Sequence, residues 1–405
     1  MRLLYRGVTM EMEKIRAAVE RAFEDVVALR RHLHRYPELS QREERTMAFV
    51  SEYLTGLGIP HKTNVGGFGI VATVGDPNAS FAVAIRGDMD ALPVQEQTGL
   101  PYASQNPGVM HACGHDMHTA ILMGTARILK EMESELPGMV KLFFQPAEEK
   151  GGGAKPMIEA GCLQDPPVRR ILGLHVDPAA PLGKVTFFPG VRSASSTTLN
   201  ITIHGHSCHG AQPQTGADAI LAGAHVVTAL QSVVSRSVSP TTPVVLTIGR
   251  FNGGTRHNIV AGKVEMSGTL RAMDLGIRDL VKERIRTVAE DTAAMYGATA
   301  EVEIHDGYLP VVNDIPSTLR MMEVARQALG AENVIEAKEP VMTSEDFSFF
   351  LQEVPGTFFD LGTTAPDCAW PQTLHNDRFS PDERCIKNGI LLEVLGAVAF
   401  LEECR

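Results

Sequence analysis

The chain has 405 residues, 44% of them hydrophobic and 21% charged, with a formal net charge of −11. That length suffices for two domains with real cores, and the acidic balance argues against a nucleic-acid or anionic-membrane partner, which would need a basic face. No apolar run approaches the ~18 residues of a membrane span. The opening MRLLYRGVTM is too short for a secretory core, and six scattered cysteines without a CxxC pair read as reduced thiols of a cytoplasmic protein.

In chain order, Ile15, Val19, Phe23, Val26, Leu29 and Leu33 recur at three- and four-residue spacings, which predicts a helix with one apolar face, ended by Pro37. Ser40 and Glu43 match an S-x-x-E capping box, opening a second helix that runs to the glycines at 56 and 58. FGIVATVG (68–75) and FAVAIRGD (81–88) are short β-branched runs broken by Gly and Asp-Pro-Asn, hence strands. HTAILMGTARILKEM reads as a helix, VKLFFQPAEE as a buried strand entering a loop, and RRILGLHVD as a further strand. Such alternation implies an α/β domain with a mostly parallel central sheet flanked by helices. Sheets of this kind bind ligands beyond the carboxyl ends of their strands, where GDMD, QPAEE and LHVD would converge.

From about Ser193 the order becomes strand, helix, strand, strand, helix, strand. TTLNITIHG, PVVLTIGRF, NIVAGKVEMSGTLRA and ATAEVEIHDG are the strands, and DAILAGAHVVTALQSVVS and RDLVKERIRTVAEDTAAMY the helices. That is the ferredoxin-like α+β arrangement. The polar motifs resume with TSEDFSFF and TLHNDRF, so residues 193–306 read as an insertion dividing a larger domain into 1–192 and 307–405.

Metal-capable side chains are densest in HACGHDMH (111–118). Cys113 and His115 form a C-x-H pair that could reach one ion, but two ligands are not a site, and the same residues could simply start a helix with Asp116 as its N-cap. Glu148 and Glu149 end a buried strand in QPAEE. Adjacent carboxylates point in different directions there, so one can bind a metal while the other faces a water; an acidic surface turn is the plain alternative. His175 finishes a buried strand and, alone, is equally a core histidine. His375 sits in a polar loop. Taken together, Cys113, His115, Glu149, His175 and His375 offer the N, O and S donors that transition metals prefer, which disfavours Mg²⁺ and Ca²⁺ and leaves Zn²⁺, Mn²⁺, Co²⁺ and Ni²⁺ open.

The ordered set LHRYPELS, RGDMDALP, HACGHDMH, QPAEEKGGG, GLHV, GHSCHGAQP, HNIVAGKVEMSGTLRA, SEDF and LHNDRF spans nearly the whole chain. It resembles the amidohydrolases that include hippurate hydrolase, N-acyl-L-amino-acid amidohydrolase and the indole-acetyl-amino-acid hydrolases, a branch of the aminoacylase/carboxypeptidase-G metallopeptidase superfamily. The resemblance implies a zinc-exopeptidase-like catalytic domain with an inserted lid that dimerises, giving a homodimer or higher homo-oligomer. It implies one or two divalent transition-metal ions held by Cys113, His115, Glu149, His175 and His375, with Glu148 as general base and Asp90 as a carboxylate behind the ligands. His209, on the lid, would polarise the substrate carbonyl, in relatives often at the partner subunit's site. Asn258 and Arg271 would bind a substrate carboxylate, and the substrate would be a small N-acyl amino acid.

Two departures stand out. The wider superfamily has a histidine ligand where this chain has Asp88 and a bridging aspartate near the place of Cys113, and many branch members have a histidine at Gln214. The implied chemistry is proton abstraction from a water by Glu148, attack on the amide carbon, and return of the proton to the leaving amine, with His209 as an oxyanion donor. A thiol enzyme with Cys113 as nucleophile would leave Glu148, Glu149, His175 and His375 without a role. A non-catalytic metal-binding protein would have no use for Glu148. A metallo-carboxypeptidase or dipeptidase shares every catalytic residue and is the closer alternative.

Overall fold

The structure is a computed structural model that describes residues 12–368 and 373–405; the opening segment read above for a secretory core lies outside the described residues. The described chain forms two compact units. The larger takes the residues up to Gly190, then Val312–Glu339 and Asp346–Arg405; the smaller takes Val191–Val311 and Pro340–Glu345.

In the larger unit an eight-stranded mixed sheet runs, edge to edge, His61–Lys62, Ile70–Gly75, Met139–Gln145, Ala82–Asp88, Val168–Pro181, Gly356–Thr364, Val185–Phe187 and Val334–Glu336. The four strands from Met139–Gln145 to Gly356–Thr364 are mutually parallel, and the antiparallel pairings flank them. Position in the sheet explains the sequence pattern. Ala82–Asp88 and Met139–Gln145 are buried along their whole length, because central parallel strands are covered on both faces. Ile70–Gly75, nearer the edge, alternates buried and half-buried residues.

The Met12–Arg35, His115–Glu131 and Cys385–Glu403 helices pack together. The first buries the predicted stripe, including Ile15, Val19, Val26 and Leu33. The second is buried on nearly every side, as expected of a helix enclosed by its neighbours. The second predicted helix forms at Glu44–Gly56, but the capping box does not. Ser40 donates to Asp90 and the Glu43 carboxylate accepts from Ala147, so neither side chain serves the helix end.

The smaller unit is α+β in the ferredoxin-like order. Its sheet runs Val244–Gly253, Lys263–Ala272, Ser195–His204, Thr299–Asp306, with every neighbour antiparallel. Helices Ala219–Ser237 and Leu275–Met295 pack on each other and on the strands, and Val226, Leu230, Val281 and Ile285 join Leu199, Ile201 and Ile203 in one core. Asp218 and Asp274 accept backbone N–H bonds at the two helix starts, the usual N-cap chemistry. Ala219–Ser237 is, by length and composition, long and apolar enough for a membrane span, in contrast to the expectation from the sequence that no such stretch occurs. Its face Ala222, Val226, Leu230 and Val233 is buried in the core of this unit.

Candidate active site

Three strands and two loops of the larger unit carry the candidate residues. Ala82–Asp88 leads into Asp88 and Asp90, Met139–Gln145 into Glu148 and Glu149, and His175 lies within Val168–Pro181. Cys113 and His115 sit where a loop enters the His115–Glu131 helix. That entry depends on Gly114, which has φ +86, and a Cβ there would lie 2.4 Å from a Val176 methyl. His375 is held with φ +61 while its N–H donates to Ala112 O at 2.7 Å. His375 lies 200 residues beyond His175, and the fold brings it beside the residues of the strand ends.

The donor atoms converge. Cys113 Sγ is 3.5 Å from His175 Nε2. Glu149 Oε1 is 3.4 Å from His375 Nε2 and 3.9 Å from His115 Nε2. The Cys113, His115 and His175 donors lie within 4.8 Å of one another, as do those of Cys113, Glu149 and His375, and those of His115, Glu148 and Glu149. His115 Nε2 and Glu149 Oε1 are buried without hydrogen-bond partners. Orphaned buried polar atoms are costly, and a lone pair beside a carboxylate, a thiol and two further imidazoles is what a divalent transition metal would satisfy. These residues therefore fit such an ion.

Orientation comes from a surrounding layer. Asp90 Oδ1 accepts from His115 Nδ1 at 3.1 Å, leaving Nε2 for the site, while its Oδ2 accepts from Glu149 N–H at 2.9 Å and Ser40 Oγ at 2.7 Å. His175 Nδ1 donates to Val176 O at 2.8 Å, which likewise turns Nε2 toward Cys113. Such supports fix the tautomer and ring direction of a metal-binding histidine. Glu148, largely buried, neighbours Glu149 on the same turn.

Below the donors lies a charge network centred on a residue the sequence reading passed over. Arg86 is fully buried and donates to Asp88 at 2.6 Å, Asp346 at 2.9 Å and Gln145 at 2.8 Å. Burial opposes ionisation of Asp88, but Arg86, His115 and His118 outweigh it and hold the carboxyl well below its usual range. A lone arginine inside an otherwise apolar strand was the available signal, since a buried guanidinium requires acids around it.

Asp116 does not cap its helix. Gly114 occupies the cap position, and the buried Asp116 carboxylate instead meets Arg30 at 2.9 Å and His34 at 2.7 Å. Burial opposes its ionisation too, yet Arg30 and His34 outweigh it and hold Asp116 low. His111 is buried nearby, and burial lowers its pKa to about 4.

Three predicted residues belong to the smaller unit. His209 is exposed, its Nδ1 accepts from Ala211 N–H at 3.0 Å, and its ring proton is thereby assigned to Nε2. Asn258 is joined to this segment, its carbonyl accepting from Gly210 N–H at 2.8 Å. Half-buried Arg271 donates to Ser344 Oγ at 2.6 Å.

Residues 84–394 match the family Peptidase family M20/M25/M40. The chain belongs to this family. It is a metal-dependent hydrolase, an M20 enzyme of the amidohydrolase and peptidase kind. It is similar to the N-acetyl-L-cysteine deacetylase of Bacillus subtilis (39% identity over 361 residues, 89% of this chain and 84% of the relative). It is similar as well to thermostable carboxypeptidase 1 of Saccharolobus solfataricus (37% over 395 residues, 96% and 98%). Among solved structures it resembles the Bacillus subtilis YxeP protein, a dinuclear metal-binding peptidase, with TM-score 0.81, 33% identity and coverage of 95% and 99%.

Proposed function

We propose that this M20 enzyme hydrolyses the amide bond of N-acyl-L-amino acids, hippurate-like compounds among them, releasing a carboxylic acid and a free amino acid. The convergence of Cys113, His115, Glu149, His175 and His375, with Glu148 beside them, carries the reading. One or two divalent ions held by the five donors would supply an acidified water and a polarised carbonyl. Glu148 accepts a proton as water attacks the amide carbon and hands it to the departing amine. His115 and Glu149 are held in place through Asp90, so the base works beside a rigid donor set.

From the smaller unit, His209 presents an Nε2–H suited to an amide oxyanion. Asn258 and Arg271 take the amino acid's carboxylate, which makes a free C-terminal acid part of specificity. The unit serves as the lid and the dimerisation surface. The absence of disulfides among the described cysteines supports a cytoplasmic location.

The similarity to a carboxypeptidase favours, as the second reading, cleavage of short peptides by the same residues. The deciding experiment assays N-acetyl, N-benzoyl and dipeptide substrates across Zn²⁺, Mn²⁺, Co²⁺ and Ni²⁺, with a Glu148→Gln control. Preference for acyl amino acids supports the first reading and preference for dipeptides the second. Turnover by Glu148→Gln at the wild-type rate removes Glu148 as base.

A further inference from the structure

The turn from Pro37 to Glu43 plays no part in the chemistry above, yet its polar groups reach both loops that carry it. Glu38 O accepts from Ala91 N–H at 2.8 Å, and Ser40 Oγ donates to Asp90 at 2.7 Å. Glu43 is fully buried, and its Oε1 accepts from Gln41 N–H at 3.0 Å and from Ala147 N–H at 2.8 Å. Its Oε2 is buried without a partner.

Ala147 stands directly before Glu148. Its φ is +57, a left-handed conformation that costs an alanine about 1–2 kcal/mol. A strained residue persists only where its surroundings over-determine it. Here Ala147 O accepts from Gly152 N–H at 3.0 Å and its N–H is taken by Glu43. Close packing locks the far side, since a Cβ on Gly153 would fall 1.8 Å from Pro146 O. On the other flank of Glu148, the Glu149 N–H donates to Asp90, which Ser40 supports. The two residues flanking Glu148, Ala147 and Glu149, thus each donate their N–H to a carboxylate, and both anchors lead to the same turn.

We infer that Glu43 is a positioning residue for Glu148, fixing through Ala147 N–H the turn from which that carboxylate meets the attacking water. The inference rests on the reading of Glu148 as general base. A helix start needs no such group: Glu43 makes no side-chain bond to its own helix. Keeping a carboxyl oxygen buried and unpartnered carries a desolvation penalty, and burial raises the Glu43 pKa to about 7. A reach of the right length to Ala147 is the return on that penalty.

Reach and charge separate in three variants. Glu43→Gln keeps the reach and an acceptor oxygen; Glu43→Asp keeps the charge but is one methylene short; Glu43→Ala lacks both. The loaded enzyme is assayed for kcat and KM on the best substrate of the panel, with metal content by elemental analysis and melting temperature alongside. Misplacing a catalytic group by about 1 Å can cost about 10²-fold. The Ala and Asp variants should therefore lose kcat by about that factor at unchanged KM and metal content, with Gln recovering to within about tenfold of wild type. Should the Ala variant not fold, Asp against Gln decides. Wild-type kcat in the Asp variant, a Gln variant as slow as Asp, or kcat losses that track metal loss would overturn the inference. Glu148→Gln, measured in parallel, keeps the two claims apart. An active Glu148→Gln removes the base assignment itself, whereas an inactive one beside a wild-type Glu43→Asp removes only the role of Glu43.

Discussion

The backbone N–H of Val176 donates to His118 Nε2 at 2.9 Å, so the nitrogen that His118 could offer an ion is already engaged. With Nε2 accepting, the ring proton lies on Nδ1, which meets Asp88 Oδ1 at 2.6 Å. Both nitrogens are engaged, although Asp88, His115 and His118 stand close enough together to suggest a ligand group. Val176 O meanwhile orients His175 the opposite way, turning its Nε2 toward Cys113. His118→Ala should leave a buried N–H and part of a carboxylate unmatched, costing about 1–3 kcal/mol for each, yet bind the same number of ions at saturating metal. Denaturant unfolding and elemental analysis check this, with His175→Ala as the comparison that loses metal. Reduced stoichiometry in His118→Ala would make it a ligand.

Asp90 joins three donors: His115 Nδ1, Glu149 N–H and Ser40 Oγ. Asp90→Asn replaces one acceptor oxygen by an NH₂ group that must face a donor whichever way the amide turns. Losing such supports typically lowers metal affinity or activity by about 10–100-fold. The expected outcome is weaker metal retention on dialysis, partly restored by excess metal, with little change in melting temperature of the loaded protein. Normal retention would show that His115 and Glu149 hold their places without Asp90.

Much of the fold was readable because it follows from periodicity. The strand pattern of the larger unit and the β-α-β-β-α-β order of the smaller need only local signals. The convergence of Cys113, His115, Glu149, His175 and His375 was legible for a different reason: the ordered motifs that carry them resemble a family in which they meet. What sequence hid were the long-range choices of polar side chains. Ser40 and Glu43 fit a local capping box, yet Asp90 and Ala147 claim them instead. Asp116 fits an N-cap, yet Arg30 and His34, some 80 residues earlier, claim its carboxylate. A helix end can be satisfied by its own backbone turn or by solvent, whereas a buried guanidinium or a left-handed turn such as that at Ala147 has fewer alternatives, so the distant partner wins.

Glu393 offers a test of burial alone. It is 1% exposed on the Cys385–Glu403 helix, and Thr125 Oγ1 donates to it at 2.6 Å. Burial, only partly offset by Thr125, raises its pKa to about 8 from 4.5. The folded-state value lies above the unfolded one. Stability associated with the protonated form is therefore fully present below pH 4.5 and is lost progressively as pH rises through about 8. The loss should be on the order of 5 kcal/mol across that window. Glu393→Gln cannot ionise, so its melting temperature relative to wild type should climb from pH 5 to pH 9 by thermal unfolding at each pH. Parallel curves for the two proteins would place the ionised carboxylate in the folded state already at pH 5.

Of the residues proposed to recognise substrate, Arg271 is the most directly testable. Its guanidinium is half-buried, donates to Ser344 Oγ at 2.6 Å, and makes no ion pair among the described residues. Burial without a countercharge lowers its pKa from the usual arginine value, and a substrate carboxylate would supply the missing partner. A hydrogen bond to a charged group contributes about 1.5–3 kcal/mol. Arg271→Ala should thus lower kcat/KM for free-acid N-acyl amino acids by about 10–150-fold. C-terminally amidated analogues, already poor, should lose little further. Arg271→Lys should recover only part of the difference, because an ammonium cannot reproduce the bidentate fork. Steady-state kinetics on matched acid and amide pairs checks the prediction, and an equal loss on both would remove Arg271 from carboxylate recognition and leave it a support for the Ser344 segment.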